Sequence, residues 1–116
     1  MVSDDIYTDY NNANLPDLLV VGEWMSNQDF ENKNGQFQPK NVGLTHYKGW
    51  WTSVTAAALN SDGQMDYIVG NYGENMYFQC NAAAPLRVYA NDWDSNGAID
   101  PLSACYWPDS LGVRRE

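Results

Sequence analysis

Basic residues are scarce: Lys and Arg number 6 against 15 Asp and Glu, a formal charge of -9. That balance argues against nucleic acid or an anionic membrane as partner, because phosphate recognition needs clustered cations and the largest cluster is Arg114-Arg115. Long hydrophobic runs are also missing. The longest aliphatic stretch is LLVV at residues 18–21, far short of the roughly 20 apolar residues of a membrane span. The opening MVSDDIYTDY lacks the basic-then-apolar order of a signal peptide, so any export signal was removed or lies outside this segment. Cysteine is limited to Cys80 and Cys105, whose separation fits neither a zinc pair nor a redox CxxC. Two buried thiols are expected, with one disulfide as the alternative. The sequence holds no GxSxG, P-loop or HExxH, and its single histidine, His46, is expected at the surface of a loop. Glycoside hydrolysis would fall to a pair such as Glu23 and Glu74, and nothing in the sequence positions them. The chain is therefore not expected to be an enzyme.

What is present is aromatic and apolar. Hydrophobic residues make up 44% of the 116 residues, with 5 Trp and 8 Tyr, which marks a folded chain rather than an acidic disordered tail. This length suits one domain over residues 1–116, able to bury about two-thirds of its unfolded surface. Helical periodicity is nearly absent. Gly, Pro and Asn break the chain into short runs rich in β-formers, so the fold class is all-β. Strands are predicted over residues 18–24, 27–32, 36–39, 50–58, 67–71, 76–80, 86–91 and 102–107. Between the second and third, Asn34-Gly35 is the pair that tolerates positive φ in a two-residue hairpin turn. LRVYA (86–90) alternates like a half-buried strand, whereas LLVV and YIV read as buried on both faces. Trp50 and Trp51 open a strand and are read as packing residues before a ligand-stacking platform.

One pattern recurs three times: DYNNANLPDLLVVGEW from residue 9, ALNSDGQMDYIVGNYG from 58 and DWDSNGAIDPLSACYW from 92. Each copy is a nine-residue loop with oxygen-bearing side chains at alternate positions and a closing aspartate, followed by an apolar run. Ca²⁺ takes 6 to 8 oxygen ligands at about 2.3–2.6 Å, and a short loop wraps it only if alternate side chains turn inward. In the third copy Asp92, Asp94 and Asn96 fill positions one, three and five, the Ala98 carbonyl position seven and Asp100 position nine. The bland alternative is a metal-free turn in which Asp and Asn cap their own backbone. An EF-hand is disfavoured, because position twelve is Ser103 rather than Glu and Pro101-LSACYW is a poor helix.

DLLVVGEWM, GWWTSVTAAALNSDGQMDYIVGNYG and LRVYANDWDSNGAIDPL resemble the FG-GAP/VCBS repeats of integrin-α-like β-propellers, in their bacterial form, across roughly residues 9–107. The resemblance implies four-stranded antiparallel propeller blades with Ca²⁺ in the Asp-rich loops. Carried over by position, Asp92, Asp94, Asn96, Ala98 and Asp100 match a complete site. Asn60, Asp62, Gln64 (carbonyl) and Asp66 match a weaker one, because Ala58 holds its first position. In the first copy Asp9, Asn11, Leu15 (carbonyl) and Asp17 match, but Ala13 and Pro16 break the pattern and no ion is expected.

At the 50 to 60 residues such a blade uses, the chain supplies about two blades, approximately residues 9–57 and 58–107 with a tail at 108–116. A closed propeller needs at least four, so a longer chain or self-association is expected. The functional expectation is a Ca²⁺-stabilised, non-catalytic interaction or scaffold module, extracellular, periplasmic or at the cell surface, with a protein or glycan ligand. Its alternatives are a polysaccharide lyase or hydrolase carried on a propeller, and a metal-free β-domain.

Overall fold

Alternating and β-branched runs interrupted by turn residues leave extended backbone as the low-energy choice, and the computed structural model is all-β. It describes residues 1–73, 76–78 and 80–115, among which there is no helix. The chain divides into two compact units, residues 1–72 and 73–116.

The first unit contains β1 (Val2–Thr8), β2 (Asp17–Ser26), β3 (Gln28–Lys33), β4 (Gln36–Lys40), β5 (Lys48–Ala57) and β6 (Asp66–Tyr72). β1 to β4 form an antiparallel meander, and β5 pairs with both the far end of β2 and β6. The Asn34-Gly35 turn forms as its chemistry dictates: both residues take positive φ, 55° and 89°, and Lys33 pairs with Gln36. β1 was not anticipated, because VSDDIYT carries two adjacent aspartates that mask its alternation. Ile6 faces Leu19 across the ladder, while Asp4 accepts a hydrogen bond from Val54 N at 2.9 Å.

The core sits on β2. Leu19, Val20 and Val21 are buried, flanked by β1 on one side and β3 on the other. Removing each such side chain from water contributes about 1.5–3 kcal/mol. LLVV thus behaves as a central strand. YIV does not: Ile68 is 53% exposed, because β6 is the last strand of its sheet among the described residues.

The second unit has β7 (Arg87–Asn91) and β8 (Asp100–Ala104) as one hairpin, and β9 (Trp107–Pro108) with β10 (Arg114–Arg115) as another. The half-buried alternation expected for LRVYA is not realised, since Val88 and Tyr89 are both exposed in a two-stranded sheet. The strand expected at 76–80 is absent over 76–78, which form bends; Gln79 lies outside the described residues. Cys80 and Cys105 are free and half-buried.

Candidate metal centre

All three nine-residue loops join adjacent antiparallel strands: β1 to β2, β5 to β6, and β7 to β8. They share one backbone conformation. The fourth and sixth residues of each take positive φ: Asn12 (57°) and Asn14 (59°), Ser61 (60°) and Gly63 (82°), Ser95 (60°) and Gly97 (88°). Gly at the sixth position adopts this conformation without steric cost, and Asn tolerates it. Two left-handed residues fold the loop back on itself and turn alternate side chains to one side.

In the third loop the closing pair is Asn91 with Asp100, so β8 starts at the last acidic position and no helix follows the bend. Asp92 accepts hydrogen bonds from Asn96 N (3.0 Å) and Gly97 N (2.8 Å). Asp94 accepts from Asn96 N (3.2 Å) and from Asn96 Nδ2 (3.0 Å). Asp100 Oδ2 accepts from Trp93 N at 3.1 Å, and the Trp93 indole N–H donates to the Asp100 carbonyl at 3.2 Å. Ala98, at position seven, donates its amide to Asn96 Oδ1 at 2.8 Å.

In these bonds backbone N–H groups offset part of the charge of the crowded carboxylates. Each carboxylate oxygen has a second lone pair, so donor bonds do not exhaust its capacity. The decisive geometry is that Asp92, Asp94 and Asp100 each offer one oxygen, all within 4.8 Å of one another. Ligands on opposite sides of a Ca²⁺ ion lie about 4.6–5.2 Å apart, twice the metal–oxygen distance. The donor set therefore fits a hard divalent cation in size and chemistry. Asp92 and Asp100 are half-buried and Asp94 is exposed, leaving one side open to water.

The second loop repeats this network without its first member. Leu59 N donates to Asp66 Oδ2 (2.9 Å), Asp62 N to Asn60 Oδ1 (3.0 Å), Asn60 Nδ2 to Asp62 Oδ2 (3.0 Å) and Gln64 N to Asp62 Oδ1 (2.8 Å). Ala58 supplies no acceptor, and Asp62 and Asp66 are its only two carboxylates.

The first loop keeps the early bonds, with Ala13 N and Asn14 N donating to Asp9 and Ala13 N also to Asn11. Its ninth residue is turned elsewhere. Asp17, 1% exposed, accepts from Asn32 N at 2.7 Å, and Asn32 Nδ2 donates to the Pro16 carbonyl at 2.9 Å. Asn32, from the β3–β4 hairpin, thus fastens this loop through hydrogen bonds. The sequence pattern gave no hint of it, since Asn32 lies outside the repeat.

Elsewhere, Trp50 packs between Trp24 (5.1 Å between ring centres) and Tyr72 (5.3 Å), and Trp51 donates to the Met25 carbonyl at 3.1 Å. His46 is exposed, with its ring against Tyr47. Glu23 is half-buried, and its carbonyl accepts from the Met1 ammonium at 2.9 Å. Glu74 lies outside the described residues.

A four-stranded antiparallel meander carrying a polar loop between its first two strands is the architecture of a propeller blade. The chain belongs to the FG-GAP-like repeat family, whose model matches residues 9–69. No curated protein and no solved structure matches it. The repeat suggests a β-propeller-type interaction module. No helix among the described residues is long and apolar enough to cross a membrane.

Proposed function

We propose that this chain is a calcium-binding FG-GAP propeller segment acting as a non-catalytic interaction module outside the cytoplasm. The observation that carries the reading is the convergence of Asp92, Asp94 and Asp100 within 4.8 Å in a loop between two strands. Asp92, Asp94, Asn96 and Asp100 would hold the ion through side chains and Ala98 through its carbonyl. The ion would supply the positive charge that lets the three carboxylates stay close. The site of Asn60, Asp62, Gln64 and Asp66 is weaker by one carboxylate. The partly solvated, three-carboxylate site suits affinities of about 10⁻⁴–10⁻³ M, which fill in extracellular or periplasmic fluid and stay empty at cytosolic calcium levels. The partner is a protein or a glycan held by the blade surface.

Thermal unfolding in calcium and in chelator tests this. At a free calcium concentration ten to a hundred times Kd, ligation stabilises the folded chain by about 1.4–2.7 kcal/mol. The wild type is expected to melt higher in calcium, and Asp94→Ala to lose most of that difference. Equal melting of the wild type in both refutes the reading.

A further inference from the structure

Asn-Gly occurs twice in the sequence, at residues 34–35 and 96–97. This dipeptide has a reaction of its own. The glycine amide nitrogen attacks the asparagine Cγ, a five-membered imide closes, and the side-chain nitrogen leaves as ammonia with the proton of the attacking amide. Water then opens the ring at either carbonyl and gives an aspartate or its β-linked isomer. Glycine favours the attack because it has no Cβ to crowd the approach and because its backbone is the freest of any residue.

The two sites are alike in the nucleophile. Both glycines take positive φ, 89° and 88°, and open space lies where a Cβ would stand at either. Each amide donates at 2.8 Å, Gly35 N to Asn32 Oδ1 and Gly97 N to Asp92 Oδ2. They differ in the group under attack. The Asn96 carboxamide is held at both ends, Oδ1 accepting from Ala98 N at 2.8 Å and Nδ2 donating to Asp94 Oδ2 at 3.0 Å. The Asn34 carboxamide is exposed at the tip of the β3–β4 hairpin and makes no hydrogen bond among the described residues. Charge separates them further. Attack passes through a glycine nitrogen that has given up its proton, and like charges nearby oppose that state. Gly97 N points at the Asp92 carboxylate, with Asp94 and Asp100 gathered beside it. Gly35 N points at a neutral carboxamide.

We infer that Asn34-Gly35 is a site of spontaneous deamidation in the folded protein, and that the third loop protects Asn96 from the same reaction. The site also bears on the first loop. Asn32 Oδ1 receives the Gly35 N–H while Asn32 Nδ2 holds the Pro16 carbonyl. Imide formation removes that N–H, and the β-linked product adds one backbone atom to the two-residue turn that sets Lys33 across from Gln36. Modification at Asn34 thereby loosens the hairpin and the Asn32 clasp together.

Incubation of the full chain at pH 8 in chelator, followed by peptide mapping in a mass spectrometer, tests this; chelator keeps the result independent of calcium. The segment holding Asn34 is expected to gain the mass of an NH₂-to-OH exchange several-fold faster than the segment holding Asn96. In concentrated urea, where only local sequence is left, the two rates are expected to converge. The converted fraction, separated on an anion exchanger by its added negative charge, is expected to melt at a lower temperature than the unconverted chain. An Asn34 that does not convert, an Asn96 that converts as fast in the folded chain, or a difference that persists unchanged in urea overturns the assignment. Equal melting of the two fractions overturns the loosening.

Discussion

Asp29 shows how a single side chain carries an unpaid electrostatic cost. It pairs across the ladder with Lys40, yet the Lys40 ammonium reaches Glu31 at 3.3 Å instead, and Asp29 Oδ2 has no hydrogen-bond partner among the described residues. Burial pushes its carboxyl up to about 6. The ordinary value is 3.8, so between about pH 4 and 6 the folded chain holds a proton that the unfolded chain has released. Stability from this group therefore falls as pH rises through that window, by about 2–3 kcal/mol in all. Asp29→Asn is expected to raise the melting temperature at pH 7.5 and to lose that advantage at pH 4.5; equal gains at both values would contradict the assignment. Asp17 also has a buried Oδ2 with no hydrogen-bond partner among the described residues, but its Oδ1 accepts from Asn32 N and fastens a loop. Asp17→Ala leaves that amide and the pocket around it unsatisfied. A loss of about 2–3 kcal/mol in denaturant unfolding is expected, with no change in calcium response.

Among the elements, the three loops form a graded series on one backbone. The third has carboxylates at positions one, three and nine, the second at five and nine, and the first spends its ninth on Asn32. The series gives a gain-of-function test. Ala58→Asp restores position one beside the amides of Asp62 and Gly63, the equivalents of the Asn96 and Gly97 amides that Asp92 engages. It is expected to tighten the weaker calcium site, read by calorimetry; an unchanged affinity there would mean that the missing carboxylate is not what weakens the second loop. Loop positions, the Asn34-Gly35 turn and the buried β2 were legible because each rests on local chemistry: alternation, left-handed residues, an aliphatic run. β1 was not, because the pairing of Ile6 with Leu19 that makes VSDDIYT a strand is set by a segment more than ten residues away. The Asn32 clasp was hidden for the same reason. Exposure of Ile68 was missed because an apolar run reads alike whether its strand lies inside a sheet or at its end.

At the scale of the whole chain, stabilising material is unevenly shared. The first unit holds the buried Leu19, Val20 and Val21, while the buried apolar residue of the second, among those described, is Ala84. A two-stranded hairpin with exposed faces, such as β7–β8, is marginal in water, so a cation in its loop has more to contribute there than anywhere else. Hydrogen exchange is expected to show the amides of residues 87–104 exchanging several-fold faster in chelator than in calcium, with those of residues 18–22 unaffected. A uniform change across both units would contradict this division.

Calorimetric titration of calcium into the intact chain is the most direct test of the central claim, that Asp92, Asp94 and Asp100 form a cation site. The account expects saturable binding at about 10⁻⁴–10⁻³ M, with the tighter component abolished in Asp94→Ala. No binding heat in the wild type, or an isotherm that Asp94→Ala leaves unaltered, would contradict it.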